Sequence, residues 1–151
     1  MQGIESSTGI KTSTSILALN KALELLGIKK RGLVTSYQDD VQVNIMEKYA
    51  SIRVITGQGM EKHSGVVKYT DCAEIGEDGL DELVKDVVGR RVDAAFTFCT
   101  NLVAAQRVEF WKNEYGIPVF DTVTTVLRDM LTECGVNAKG LKGSETIFQK
   151  G

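Results

Sequence analysis

Val92-Asp93-Ala94-Ala95-Phe96-Thr97-Phe98-Cys99-Thr100-Asn101-Leu102 is the stretch whose reading decides the fold. Its first part is an apolar run with the length of a buried strand, and it stops at Cys-Thr-Asn. From Leu102 through Trp111 the apolar spacing turns helical. Cys99 is thereby placed where a central parallel strand hands over to a helix. In open α/β sheets, ligands collect outside the carboxyl ends of the strands. A helix N-terminus at that point favours anions and lowers the pKa of a thiol. The expectation is a thiolate at Cys99 beside an anion site.

Working outward, the chain alternates strand and helix signals. Ile10 is read as opening a brief strand that passes into Thr12-Ser13-Thr14-Ser15, a hydroxyl-rich turn suited to capping. A leucine-rich helix follows, with Leu19, Leu23 and Leu26 on its apolar face, and Gly27 stops it. Gly32 to Thr35 reads as a strand ending at Ser36-Tyr37, and Asp39 or Asp40 caps a helix from about Val41 to Tyr49. Ser51 to Thr56 reads as a strand, and Val66 to Tyr69 as a strand or extended loop. A helix runs from about Asp78 to Gly89, with acids in its first turn. Beyond the opening stretch come a short strand at Ile117 to Phe120 and a last helix, capped by Asp121, through Val123, Val126, Leu127, Met130 and Leu131. Such alternation implies one three-layer α/β domain over residues 1–136, with a parallel sheet of about four strands flanked by helices. Residues 137–151 form a Gly/Lys/Ser-rich tail expected to pack loosely.

Composition excludes several function classes. A net charge of -2 with interleaved signs leaves no nucleic-acid footprint. No apolar run has the length of a membrane span, and no signal peptide opens the sequence. Three widely spaced cysteines, Cys72, Cys99 and Cys134, fit reduced thiols and a cytoplasmic location rather than a disulfide framework. No CxxC or Cys/His cluster points to a metal, and no dinucleotide or Walker loop points to a cofactor.

The chemistry therefore rests on Cys99 and its neighbours. Taken alone, Cys99 fits a small buried apolar residue as well as it fits a thiolate. Thr100 and Asn101 supply the hydroxyl, amide and main-chain N–H groups that an oxyanion or carboxylate pocket needs. A phosphatase loop is excluded, because the arginine it requires six positions after the cysteine is Ala105. Tyr37 also stands at the carboxyl end of a strand and opens onto the same sheet edge. Thr12 to Ser15 end a third segment there. His63 lies between glycines and reads as a solvated loop residue, while Trp111 reads as packing.

Phe98-Cys99-Thr100-Asn101-Leu102, followed by Gly116-Ile117-Pro118-Val119-Phe120-Asp121, resembles the second cysteine motif of the aspartate/glutamate racemase superfamily. Maleate cis-trans isomerase and arylmalonate decarboxylase are the most similar branches. Thr12 to Ser15 with the leucine-rich helix resembles the start of that family's second half, and Leu33 to Val41 resembles its strand-Tyr-x-x-x-Val element. The match runs in order from about Thr8 to Gly135.

The resemblance implies a catalytic thiolate at Cys99 and a small carboxylate or dicarboxylate held by Tyr37, Thr100 and Asn101, without metal or other cofactor. In the family two such domains face each other, and each usually donates a cysteine. Here the match begins where the second domain begins, so the first domain's cysteine motif has no counterpart in these residues. Gln42 stands where the family usually has asparagine. The implied alternatives are a racemase, isomerase or decarboxylase, and a non-catalytic domain that binds an anion. Losing a facing domain exposes apolar surface, so a homo-oligomer is expected.

Overall fold

The computed structural model describes residues 2–35, 37, 39–51, 61–63, 69–139 and 147–148. Among the described residues four strands form one parallel sheet: β1 (Arg31–Thr35), β2 (Glu61–His63), β3 (Ala94–Thr97) and β4 (Val119–Asp121), in the order β2-β1-β3-β4. Six α-helices of the same residues accompany them: α1 (Gln2–Thr8), α2 (Ser15–Leu26), α3 (Asp39–Ser51), α4 (Glu77–Val88), α5 (Val108–Tyr115) and α6 (Thr122–Glu133).

Strand residues alternate between two cores, as the pleat requires. Val34, Ala95 and Val119 face one side, where they meet Leu80, Val84, Val87 and Trp111 of α4 and α5. Leu33, Phe96 and Phe120 face the other, with Leu19 and Leu23 of α2, Tyr49 of α3 and Leu131 of α6. Phe96 and Phe120 are register partners across β3 and β4, and their rings stack at 5.2 Å. Both faces of the sheet are thus covered, which is the three-layer α/β arrangement expected from the sequence.

Helix ends follow the local chemistry. Thr14 caps α2 by accepting from the Leu17 N–H at 3.2 Å, and Gly27 ends it in the left-handed conformation at φ 65°. That φ is costly for any residue with a Cβ. Asp121 caps α6 by accepting from Val123 N and Thr124 N at 2.9 and 3.1 Å. Asp93, from the opening stretch, accepts from Lys29 N and Lys30 N at 3.1 and 2.8 Å, pinning the turn that leads into β1 to the start of β3.

Four readings of the sequence need correction. Ile10 opens no strand: it is 66% exposed and has no ladder partner, because α1 ends just before it and residues 9–14 form a connecting loop. Ser51 closes α3 instead of starting a strand, and residues 52–56 lie outside the described residues. Tyr69 begins a 3-10 turn, Tyr69–Glu74, while residues 66–68 also lie outside. His63 belongs to β2, in register with Thr35, not to a loop.

The tail differs too. Ile147 and Phe148 are buried in the α2–α3–α6 core, and Arg128 Nε donates to the Ile147 carbonyl at 2.7 Å, so at that point the tail packs tightly. In the same core the Arg31 guanidinium stacks 3.9 Å from the Tyr49 ring centroid. It is buried, and its side-chain nitrogens have no hydrogen-bond acceptor among the described residues.

Candidate active site

The order β2-β1-β3-β4 reverses its direction of growth between β1 and β3. In open parallel sheets that switch point leaves a crevice at the carboxyl ends of the two strands, because the connections leave on opposite faces. Tyr37 follows β1 and Cys99 follows β3. Both line a cavity of about 80 Å³ there, together with Ser15, Ile16, Phe98, Thr100 and Thr122. Ser15 and Ile16 open α2, and Thr122 opens α6. Three strand ends and two helix starts therefore converge, and the sequence pattern had pointed to three of these contributors.

Thr100 is exposed at the cavity and Cys99 is buried, with 3% of its surface accessible. Asn101 is half-buried and is not among the lining residues. Of the four residues singled out from the sequence, the fold brings together Tyr37, Cys99 and Thr100.

The expected helix N-terminus at Cys99 is absent. Cys99 and Thr100 enter a turn in which the Leu102 N–H donates to the Cys99 carbonyl at 3.4 Å, and α5 starts only at Val108 after a 3-10 turn at Ala105–Arg107. Leu102, Ala104, Val108 and Trp111 are all buried. A compact loop that points its apolar residues inward produces the same spacing as a helix, which is why the pattern reads as helical from Leu102. The helix-dipole argument for an anion site beside Cys99 accordingly falls away. Cys99 is buried in the apolar cluster that includes Val34, Leu102 and Ala104, and the cavity it lines also takes the hydroxyl-bearing residues Ser15, Tyr37, Thr100 and Thr122.

A buried polar network lies beneath the cavity, and only its Asp121 cap is visible in the sequence. Thr97 Oγ1 donates to Asp121 Oδ2 at 3.0 Å, and the Thr122 hydroxyl donates to the Thr97 carbonyl. Asp121 is 1% exposed, and burial pushes its carboxyl up from the usual range, opposed by its hydrogen bonds from Thr97 and the first turn of α6. The helix start that faces the cavity from β4 is therefore already occupied by a carboxylate. A second network holds the other helix start: Asp129 of α6 accepts from the Ser13 hydroxyl and from Lys21 Nζ at 2.7 Å, clamping the segment before Ser15 against α6.

The lining has four hydroxyl side chains, one thiol and two apolar residues, and no charged side chain among the described residues. An anion in it would be held by neutral donors, as in an oxyanion hole, rather than by ion pairing. Its volume equals a few water molecules, which suits one carboxylate group and requires the rest of a larger ligand to extend outward. Among the described residues no group of three or more His, Cys, Asp or Glu is placed to hold a metal ion, and no helix is long and apolar enough to cross a membrane.

Neither protein-family models nor curated protein sequences give a match to the chain. Solved structures do. Arylmalonate decarboxylase superposes with a TM-score of 0.84 at 20% identity, over 97% of this chain and 64% of that one. Nocardia farcinica maleate cis-trans isomerase, in a mutant with a covalently bound succinylcysteine intermediate, gives 0.85 at 19% identity over 99% and 63%. The maleate isomerase Iso from Pseudomonas putida S16 gives 0.81 at 18% identity over 89% and 54%. The chain thus spans less than two thirds of the length of these proteins. It has the fold of arylmalonate decarboxylase and maleate cis-trans isomerase, members of the aspartate/glutamate racemase-like superfamily.

Proposed function

We propose that the chain carries one half of a cofactor-independent racemase, isomerase or decarboxylase site, in which Cys99 acts on a small carboxylate or dicarboxylate. The observation that carries this reading is the cavity at the switch point, where Tyr37, Cys99 and Thr100 meet. The similar structures support it, since they are of enzymes named for maleate and arylmalonate, and one holds a succinyl group on a cysteine.

In this reading the hydroxyls of Tyr37 and Thr100, with main-chain N–H groups of the turn after Cys99, take the substrate carboxylate. Negative charge that develops on the carboxylate as an enediolate is stabilised by the same donors. Cys99 then has two chemistries open to it. As a thiol it protonates the carbon next to the carboxylate, and the thiolate left behind is the conjugate base for the reverse step. As a thiolate it adds to an activated double bond, forming a C–S bond while the electron pair moves onto the carboxylate. Rotation about the resulting single bond and elimination return the thiolate. Stereochemical inversion by two bases needs a second group facing Cys99, and no other cysteine of these 151 residues has a matching sequence context.

Turnover of maleate, aspartate and an arylmalonate by the parent chain and by Cys99→Ala tests this directly. Turnover that disappears in Cys99→Ala supports the reading, and equal negligible rates in both sink it. The second reading, a non-catalytic domain that binds a small anion, rests on the neutral-donor lining. Carboxylate binding without turnover in either protein would favour it.

A further inference from the structure

The hydroxyls of the cavity at Cys99 are not equivalent. Thr122, 6% exposed, lines it from the start of α6, and its hydroxyl proton is committed to the Thr97 carbonyl. A carbonyl oxygen only accepts, so the direction of that bond is fixed by chemistry. A hydroxyl has one proton and two lone pairs, and the sole role left to Thr122 Oγ1 toward a ligand is that of acceptor. Among the described residues none donates to that oxygen.

Ser15 and Thr100 differ. Their hydroxyls make no hydrogen bond among the described residues and are free to turn a proton into the cavity. The start of α2 adds main-chain donors beside Ser15. Thr14 takes the Leu17 N–H, while the N–H groups of Ser15 and Ile16 have no acceptor within the helix. The lining is thus divided between donors at Ser15, Ile16 and Thr100 and a fixed acceptor at Thr122.

A bare carboxylate accepts only. It satisfies the donors and offers Thr122 nothing. A ligand that uses the whole lining therefore carries a donor as well, and in about 80 Å³ that donor sits on the carbon next to the carboxylate. An ammonium group there brings a full charge and three protons. No charged side chain lines the cavity among the described residues, and the oxygens of Asp121 beneath it are taken by Thr97 Oγ1, Val123 N and Thr124 N. Burying a charge without a partner is costly. A hydroxyl brings one proton and no charge, which matches one acceptor.

We propose that the cavity selects a 2-hydroxycarboxylate, whose hydroxyl donates to Thr122 Oγ1 while its carboxylate takes the donors, so that Thr122 sets the substrate class. This rests on the reading of the cavity as a carboxylate site beside Cys99 and narrows it. One neutral hydrogen bond made in this way is worth roughly three- to tenfold in affinity.

Succinate, malate and aspartate carry hydrogen, hydroxyl and ammonium at one carbon, and this matched series tests the proposal. Each is titrated as a protectant of Cys99 against iodoacetamide, with the Cys99 peptide read by mass spectrometry. In the parent, one enantiomer of malate protects at a roughly three- to tenfold lower concentration than succinate, and aspartate protects least. Thr122→Val removes the acceptor and brings malate to the level of succinate. Thr122→Ser keeps the hydroxyl and retains the preference. Equal protection by malate and succinate in the parent, strongest protection by aspartate, or a malate preference that survives in Thr122→Val overturns the proposal and leaves the carboxylate site standing. Protection by none of the three overturns the carboxylate site as well.

Discussion

Thr122 donates its hydroxyl proton to the main-chain carbonyl of Thr97, tying the first residue of α6 to the last residue of β3. Cys99 follows Thr97 closely, and Thr122 lines the same cavity as Cys99. One hydrogen bond therefore joins the frame of the cavity across two strands. Thr122→Val keeps the shape and removes the donor. We expect it to lower stability by about 1–2 kcal/mol in urea unfolding, the cost of losing a buried hydrogen bond.

Asp121 sets the pH dependence of that frame. Burial raises its carboxyl above the ordinary range, so the folded protein holds this proton at pH values where the unfolded chain has released it. Its contribution to stability is therefore fully present below the ordinary aspartate range and is lost as pH rises through the native pKa. Asp121→Asn keeps an acceptor for Val123 N and Thr124 N but cannot titrate. Compared with this variant, the parent loses stability as pH rises across the mildly acidic range. Urea midpoints of both proteins from about pH 3 to 7 check it.

Arg31 is a buried cation stacked on Tyr49 with no acceptor for its side-chain nitrogens among the described residues, and burial lowers its pKa to about 10. It remains charged at neutral pH, where an unpaired buried charge is a cost to the fold. Arg31→Met leaves a flexible apolar chain on the same ring face. We expect it to be neutral or stabilising by up to about 3 kcal/mol, and a clear loss of stability would show that the guanidinium is satisfied in solution.

Much of this architecture was legible in the sequence because local chemistry and tertiary packing agree. Thr14 and Gly27 bound α2, Asp121 caps α6, and the apolar runs at Gly32–Thr35 and Ala94–Thr97 become the central strands. The candidate site was legible only as a placement at strand ends: Tyr37, Cys99 and Thr100 line one cavity where parallel-sheet topology puts them. Three features were hidden for physical reasons. The loop from Thr100 to Ala104 buries Leu102 and Ala104, and with Val108 and Trp111 behind them it imitates a helix. The Thr97–Asp121–Thr122 network joins residues of two separate strands, and no short-range pattern encodes it. The apolar residues of the last helix do not show in the sequence which of them face the core: side-chain bonds of Thr122 and Asp129 hold the polar side inward and leave Val123, Leu127 and Met130 outside.

The central claim, that the cavity at Cys99 binds a small carboxylate beside a functional thiol, is tested most directly by site-resolved alkylation. The chain is treated with iodoacetamide with and without saturating maleate or malonate, and the rates at Cys72, Cys99 and Cys134 are read by mass spectrometry of the peptides. Either dicarboxylate is expected to slow alkylation at Cys99 and leave the exposed Cys134 unchanged, and Tyr37→Phe to weaken this protection. A Cys99 rate indifferent to both dicarboxylates would contradict it.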